Sequence, residues 1–239
     1  MVISATHVNV INTTKAQIAK QVRYHYVHFI RVDYSDMPCH SVKADIMMLL
    51  DSSASVGSTY FRKQLQFVQS VVNSFDIGQS SVNMGVVTFS SAPHPQFKLN
   101  DYQTKHSLID AINRIHHQSG GTNTDSAIDY LLKHSFTARN GDRSDAPNIA
   151  VIITDGQSSS RQSTIREANL LHNRGITTVA IGIGGGINLK ELIGIASNQS
   201  LVFTVANFDA LHTIQGLVDH SICQASAGGV PTIWPGMIG

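Results

Sequence analysis

Residues 44–55 read Ala-Asp-Ile-Met-Met-Leu-Leu-Asp-Ser-Ser-Ala-Ser, an apolar run that stops at an acid and then offers hydroxyls. Ala44 to Leu50 is apolar almost throughout rather than at every second position. That pattern fits a strand buried on both faces, as in a parallel sheet with helices above and below. Four more such runs follow, at Val82–Phe89, Asn148–Thr154, Thr177–Ile183 and Leu201–Val205. Between them the spacing changes to helical. Phe61, Leu65, Val68, Val72 and Phe75 step by three or four, and Asp76 to Gly78 punctuates the end of that stripe. Leu108, Ala111, Ile112 and Ile115 make a second helix. Ile165, Ala168 and Leu171 make another, closed by Asn173-Arg-Gly175. Leu211, Ile214, Val218 and Ile222 make a last one, from about Asp209. Strands alternating with helices over short connections predict an α/β fold, a doubly wound, mostly parallel sheet with helices on both faces. One antiparallel edge strand is expected near Pro95–Leu99.

The surroundings of this pattern set the expected organisation. Residues 1–38 lack a clear periodicity and read as an N-terminal flank, 39–223 as the domain, and 224–239, with Gly, Ala and Pro, as a linker. A linker there implies a place in a larger multidomain protein. The two cysteines, Cys39 and Cys223, bracket the patterned region. A bridge between them would close a loop worth about 5 kcal/mol in the chain-entropy model and points to an oxidising, extracellular setting. Residues 1–38 show no basic stretch followed by an apolar core, so no secretion signal is visible in the chain. Charged residues are only 14% of the total and the net charge is +1, which gives no electrostatic case for nucleic acid or for a membrane surface. No apolar run approaches the ~20 residues that cross a bilayer.

In doubly wound sheets ligands bind outside the carboxyl ends of the strands, where strand order reverses. Three oxygen-rich segments fall at such ends. Asp51, Ser53 and Ser55 alternate after the first strand; Gly120-Gly-Thr122-Asn-Thr124 is a flexible turn into a helix; Asp155-Gly156 follows the strand ending at Thr154. Singly, each has an ordinary explanation, since hydroxyls cap helices and Asp-Gly makes turns. Jointly they offer carboxylates and hydroxyls with no Cys or His, the donor set of a hard cation such as Mg²⁺, with Mn²⁺ or Ca²⁺ as alternatives.

In this order, D-x-S-x-S, G-G-T-N-T and T-D-G resemble the metal-ion-dependent adhesion site of von Willebrand factor type A domains, over about Val42 to Cys223. The resemblance implies a Rossmann-like fold with Asp51, Ser53, Ser55, Thr122 and Asp155 as metal site. It implies a non-enzymatic adhesion module whose bound cation accepts an acidic side chain of a partner. The flanking cysteines are similar to those of extracellular matrix members, matrilins and the type A modules of collagens. That likeness implies a secreted matrix protein, with collagen, another matrix protein or a cell-surface receptor as partner.

Other readings have less behind them. A Mg²⁺-dependent hydrolase finds no support: Gly156-Gln-Ser-Ser-Ser160 misses the nucleophile-elbow spacing, and the glycines at 182, 184, 185 and 186 miss the dinucleotide spacing and read as a loose loop. The twelve histidines lack a zinc-ligand pattern. A type A domain that binds its partner through a metal-independent face is the main alternative. Two N-x-S/T sequons, at Asn12 and Asn198, are candidate glycosylation sites.

Overall fold

Strand β1, Ala44–Asp51, is buried at every one of its eight positions, as its run of apolar residues requires. The computed structural model describes residues 42–228, all within one compact unit. The expected flank, Cys39, Asn12 and most of the expected linker lie outside those residues. Around β1 stand β2 (Val82–Phe89), β3 (Pro93–Phe97), β4 (Asn148–Thr154), β5 (Thr177–Ile183) and β6 (Val202–Val205) in the order β3-β2-β1-β4-β5-β6. All neighbours are parallel except β2 and β3. The antiparallel strand begins two residues before the expected Pro95. Pro93 and Pro95 have no N–H to give a ladder, which suits them to the outermost position.

Helices α1 (Gly57–Ser74), α2 (Lys105–Asn113), α3 (Thr124–Tyr130), α4 (Arg161–Asn173), α5 (Leu189–Ile195) and α6 (Gln215–Ser226) connect the strands. α2 and α6 each pack against α1, and α3 and α5 each pack against α4, which makes a second set. Right-handed crossovers account for this. The chain moves outward from β1 to β2 in one direction and from β4 to β5 in the other, so the two sets cover opposite faces. α1 buries Phe61, Leu65, Val68 and Val72, four of its expected stripe, and adds Gln64, Phe67 and Val71. The last helical stretch opens as a 3₁₀ turn, Phe208–Ile214, and α6 continues past Cys223 to Ser226. α5 was not evident from periodicity: it has seven residues and Gly194 inside it. Its signal is local, Asn188 accepting at 3.2 Å from the backbone N–H of Glu191, three residues on.

Two acids away from the carboxyl ends of the strands, one buried and one half-buried, shape the stability of this frame. At the start of β1, Asp45 is fully buried and meets Arg143, whose backbone N–H and Nε donate to it at 2.7 and 2.9 Å. On α6, Asp219 accepts from Ser74 Oγ of α1 at 2.7 Å, while its Oδ1 is buried without a hydrogen-bond partner. Burial pushes the Asp219 carboxyl from 3.8 up to about 6, against hydrogen bonds from Ser74 and Gln215. The native state therefore holds this proton more tightly than the unfolded chain does. Stability is greatest below the unfolded value and falls as pH rises through about 6, by at most about 3 kcal/mol. Asp219→Asn is expected to raise the melting temperature at pH 7.5 by roughly 5 °C and to leave it unchanged near pH 4. Calorimetric scans at the two pH values check this, and an equal effect at both contradicts the assignment.

Candidate metal centre

The reversal of strand order lies between β1 and β4, which are adjacent although two strands separate them in sequence. Leu50 pairs with Ile153, so Asp51, one residue on, and Asp155, two residues on, emerge at the same end of neighbouring strands. β1 and β4 thus bring both acids to one end of the sheet, and Ser53 and Ser55 link them.

From Asp51 the contacts run outward. Its carboxylate is fully buried; Oδ1 accepts from the Ser53 backbone N–H at 2.8 Å and Oδ2 from Thr154 Oγ1 at 2.6 Å. The two hydroxyls Ser53 Oγ and Ser55 Oγ lie 3.0 Å apart, and Ser55 Oγ donates to Asp155 Oδ1 at 2.9 Å. Asp51, Ser53, Ser55 and Asp155 therefore form one continuous oxygen cluster. Gln64 of α1, fully buried, donates from Nε2 to the Asp51 carbonyl at 3.0 Å and fixes the strand end from below.

Thr122 reaches the cluster through its neighbours. Ala54 N–H donates to the Gly120 carbonyl at 2.9 Å, and Asn123 N–H to the Ser90 carbonyl at 2.9 Å. The Thr122 carbonyl accepts from Ser159 N–H at 2.9 Å and from Ser159 Oγ at 3.2 Å, which ties its loop to the one after Asp155. Among the described residues the Thr122 hydroxyl has no hydrogen-bond partner, so it is free to serve as a donor to an ion. The turn that carries it is tight: Ser119 and Gly120 have φ of 63° and 116°, and a Cβ on Gly120 would lie 2.9 Å from Ser91 Oγ.

The electrostatics of the cluster are one-sided. Burial pushes the Asp51 carboxyl up, and hydrogen bonds from Ser53 and Thr154 pull it only partly back. Asp155 is raised by burial and again by the negative charge of Asp51, with Ser55 opposing. Among the described residues neither acid is in an ion pair. Two carboxylates share a crevice with hydroxyls and no cationic side chain, an arrangement that a bound cation would relieve. The donors are all oxygens, two carboxylates with neutral hydroxyls, and among the described residues no group of three or more His, Cys, Asp or Glu assembles, at this site or any other. Hard divalent ions fit this set and soft ones do not select it.

Several contributors carry no signal in the three motifs. Ser52, Gln64, His117, Gln118 and Ser159 support the loops from positions that a motif leaves blank. The glycine segment after β5, expected to be loose, is closely packed at one point: a Cβ on Gly186 would sit 2.9 Å from the Asp155 carbonyl oxygen. Glu191 of α5 is buried, and its Oε1 accepts from the Ser158 N–H at 3.3 Å, so the loop after Asp155 is braced from that side too. Asn198, the sequon within the described residues, uses its Oδ1 to cap a 3₁₀ turn through Ser200 N–H at 2.9 Å.

Comparison with known proteins gives one consistent picture. A family model described as von Willebrand factor type A domain matches residues 45–217. The mouse collagen alpha-4(VI) chain is 32% identical over 82% of this chain, and the newt Notophthalmus viridescens collagen alpha-1(XII) chain 33% identical over 78%. The chain spans only 8% and 20% of those relatives. Of solved structures, proximal thread matrix protein 1 of the mussel byssus superposes with a TM-score of 0.74 at 31% identity, over 77% of this chain and 49% of that one. A further structure of the same mussel protein, at 30% identity and TM-score 0.74, has zinc in its MIDAS motif and covers the same shares of the two chains.

Proposed function

Because this chain belongs to the von Willebrand factor type A domain family, we propose that it is an adhesion module whose cluster of Asp51, Ser53, Ser55, Thr122 and Asp155 holds a divalent cation, Mg²⁺ first, at a contact with an acidic partner. The observation that carries this reading is the hydrogen-bonded oxygen cluster at the strand-order switch, with the buried Asp51 and half-buried Asp155 carboxylates and no cationic side chain against them. The hydroxyls of Ser53, Ser55 and Thr122 are neutral donors, so two carboxylates would balance the ion's charge without quenching it. When bound, the ion supplies an electrophilic centre at which a partner's Asp or Glu completes the coordination. The chain's own residues fix the position of that centre and keep it at the rim of the crevice.

The relatives, matrix collagens among them, support an extracellular setting and a matrix protein or cell-surface receptor as partner. They also support a binding module rather than an enzyme. A Cys39–Cys223 bridge at the base of α6 belongs to the same proposal. Mn²⁺ and Ca²⁺ satisfy the same donors and remain alternatives to Mg²⁺.

Isothermal calorimetry with Mg²⁺ on the 239-residue chain tests the metal, and adhesion to collagen-coated surfaces with and without EDTA tests its use. We expect a single Mg²⁺ site, EDTA-reversible adhesion, and about a tenfold loss of Mg²⁺ affinity in Thr122→Ala, which removes one neutral donor. Adhesion indifferent to EDTA would instead assign the partner to a face away from the metal.

A further inference from the structure

The segment between α2 and α3 closes over the first metal loop through three hydrogen bonds. Two of them involve its backbone: Ala54 N–H donates to the Gly120 carbonyl at 2.9 Å, and Gln118 N–H to Ser52 Oγ at 2.8 Å. The third is made by a side chain. His117 Nε2 lies 2.9 Å from the Ser53 carbonyl oxygen. A carbonyl only accepts, so Nε2 carries the proton and donates.

Ser53 is held from every side that its backbone offers. Its N–H goes to Asp51 Oδ1 at 2.8 Å, its C=O accepts from His117 at 2.9 Å and, within its own loop, from Val56 N–H at 3.2 Å, and its hydroxyl faces Ser55 Oγ at 3.0 Å. Of the two bonds to the carbonyl, only that from His117 crosses to the Thr122 segment. With both ends of the residue pinned, the backbone sets the direction of its Cα–Cβ bond, from which the hydroxyl turns toward Ser55 Oγ. The imidazole is itself held in place, packed at 5.6 Å and 57° against the ring of Phe61 from α1, which is 2% exposed. Five residues after His117 the same segment presents Thr122. The His117 bond therefore joins the loop that supplies Ser53 and Ser55 to the loop that supplies Thr122.

We propose that His117 is a positioning residue of the metal site, whose Nε2–H fixes the Ser53 carbonyl and thereby sets the spacing between the hydroxyls of the two loops. This rests on the metal-binding reading above. Of the three bonds between the segments, it is the one whose donor is a side chain, so substitution can remove it while the main-chain bonds stay. Partners that orient ligands in this way change metal affinity by about 10 to 100-fold when removed.

Two variants separate positioning from packing. His117→Phe keeps an aromatic ring against Phe61 and loses the donor. His117→Gln loses the ring and keeps an amide N–H at nearly the reach of Nε2. Mg²⁺ affinity is measured by calorimetry on the full chain, and melting temperature in EDTA reports the fold without metal. We expect His117→Phe to bind Mg²⁺ at least tenfold more weakly. His117→Gln should stay within about threefold of the parent, even where its melting temperature falls further. A purely structural histidine predicts the reverse order. Affinity in His117→Phe equal to the parent, or weaker binding in His117→Gln than in His117→Phe, overturns the proposal. Absence of Mg²⁺ binding in the parent chain overturns the metal reading itself and is seen before either variant is made.

Discussion

Arg143→Ala is expected to destabilise the domain by about 3 to 5 kcal/mol, the range for removing one partner of a buried ion pair. The effect follows from what the guanidinium holds. Besides its Nε bond to Asp45, the Arg143 NH1 donates to the Gln79 carbonyl at 2.7 Å, and NH2 donates to the carbonyls of Ala44 and Ser81 at 2.8 and 2.9 Å. These acceptors lie at the entrances to β1 and β2, so one side chain ties together the starts of both strands. Without it, the Asp45 carboxyl, fully buried in the parent and already pushed up by burial with Arg143 as the main opposing influence, loses its counter-charge. The sign of the pH dependence follows. In the variant the folded pKa rises further, so the destabilisation is largest above the carboxylate range and shrinks as acid protonates Asp45. Urea unfolding at pH 7.5 and pH 4 measures both. Adding Asp45→Asn to Arg143→Ala removes the stranded charge and should recover more than 1 kcal/mol at pH 7.5. No recovery in the double variant would place the loss in the strand-entrance carbonyls instead of the ion pair.

This ion pair was not legible in the sequence, and the reason is instructive. Asp45 and Arg143 are 98 positions apart and only the pairing of strands brings them together. Local patterns, in contrast, were readable wherever burial on both faces made a strand uniformly apolar, as in β1, β2, β4 and β5. The stripe of α1 was readable for the same reason, because a long helix repeats its buried face several times. Short elements failed that test. α5 repeats its face only once, and the 3₁₀ turn at Phe208–Ile214 keeps a similar apolar spacing to the helix that follows it. In the site, the segments after β1 and β4 could be read because each directly follows an apolar strand. The segment 120–124, expected at a strand end as well, instead joins α2 to α3, and only its residue types pointed to it. The supports could not be read. Gln64 and His117 act on carbonyl oxygens of Asp51 and Ser53, and a carbonyl leaves no trace in the residue type that bears it. The close approach at Gly186 leaves no mark in the sequence, because glycine spacing alone does not separate a loose loop from a tight one.

The sharpest separation of binding from folding is expected in Asp51→Asn. Asparagine keeps the shape of the side chain and most of its local contacts. Its Oδ1 accepts from Ser53 N–H as the carboxylate does, and its amide nitrogen faces Thr154 Oγ1, where the aspartate oxygen now accepts at 2.6 Å. Thr154 can reverse its role there, accepting from the amide and turning its own proton toward the Gly156 carbonyl at 3.4 Å. The fold therefore loses little. It also sheds a cost, because burial disfavours the charged form of Asp51 and its charge raises Asp155 as well. In EDTA at pH 7.5 the variant should melt at or above the temperature of the parent. For a divalent ion the outcome is opposite. One of two balancing charges is gone, and at an effective dielectric of about 20 a unit charge pair near 4 Å is worth about 4 kcal/mol, or on the order of a thousandfold in affinity. The Mg²⁺-induced rise in melting temperature should then vanish at concentrations that saturate the parent. A variant that melts lower in EDTA yet still responds to Mg²⁺ would make Asp51 a structural acid and move the ion elsewhere; higher stability with no response leaves the carboxylate with one role, holding the cation.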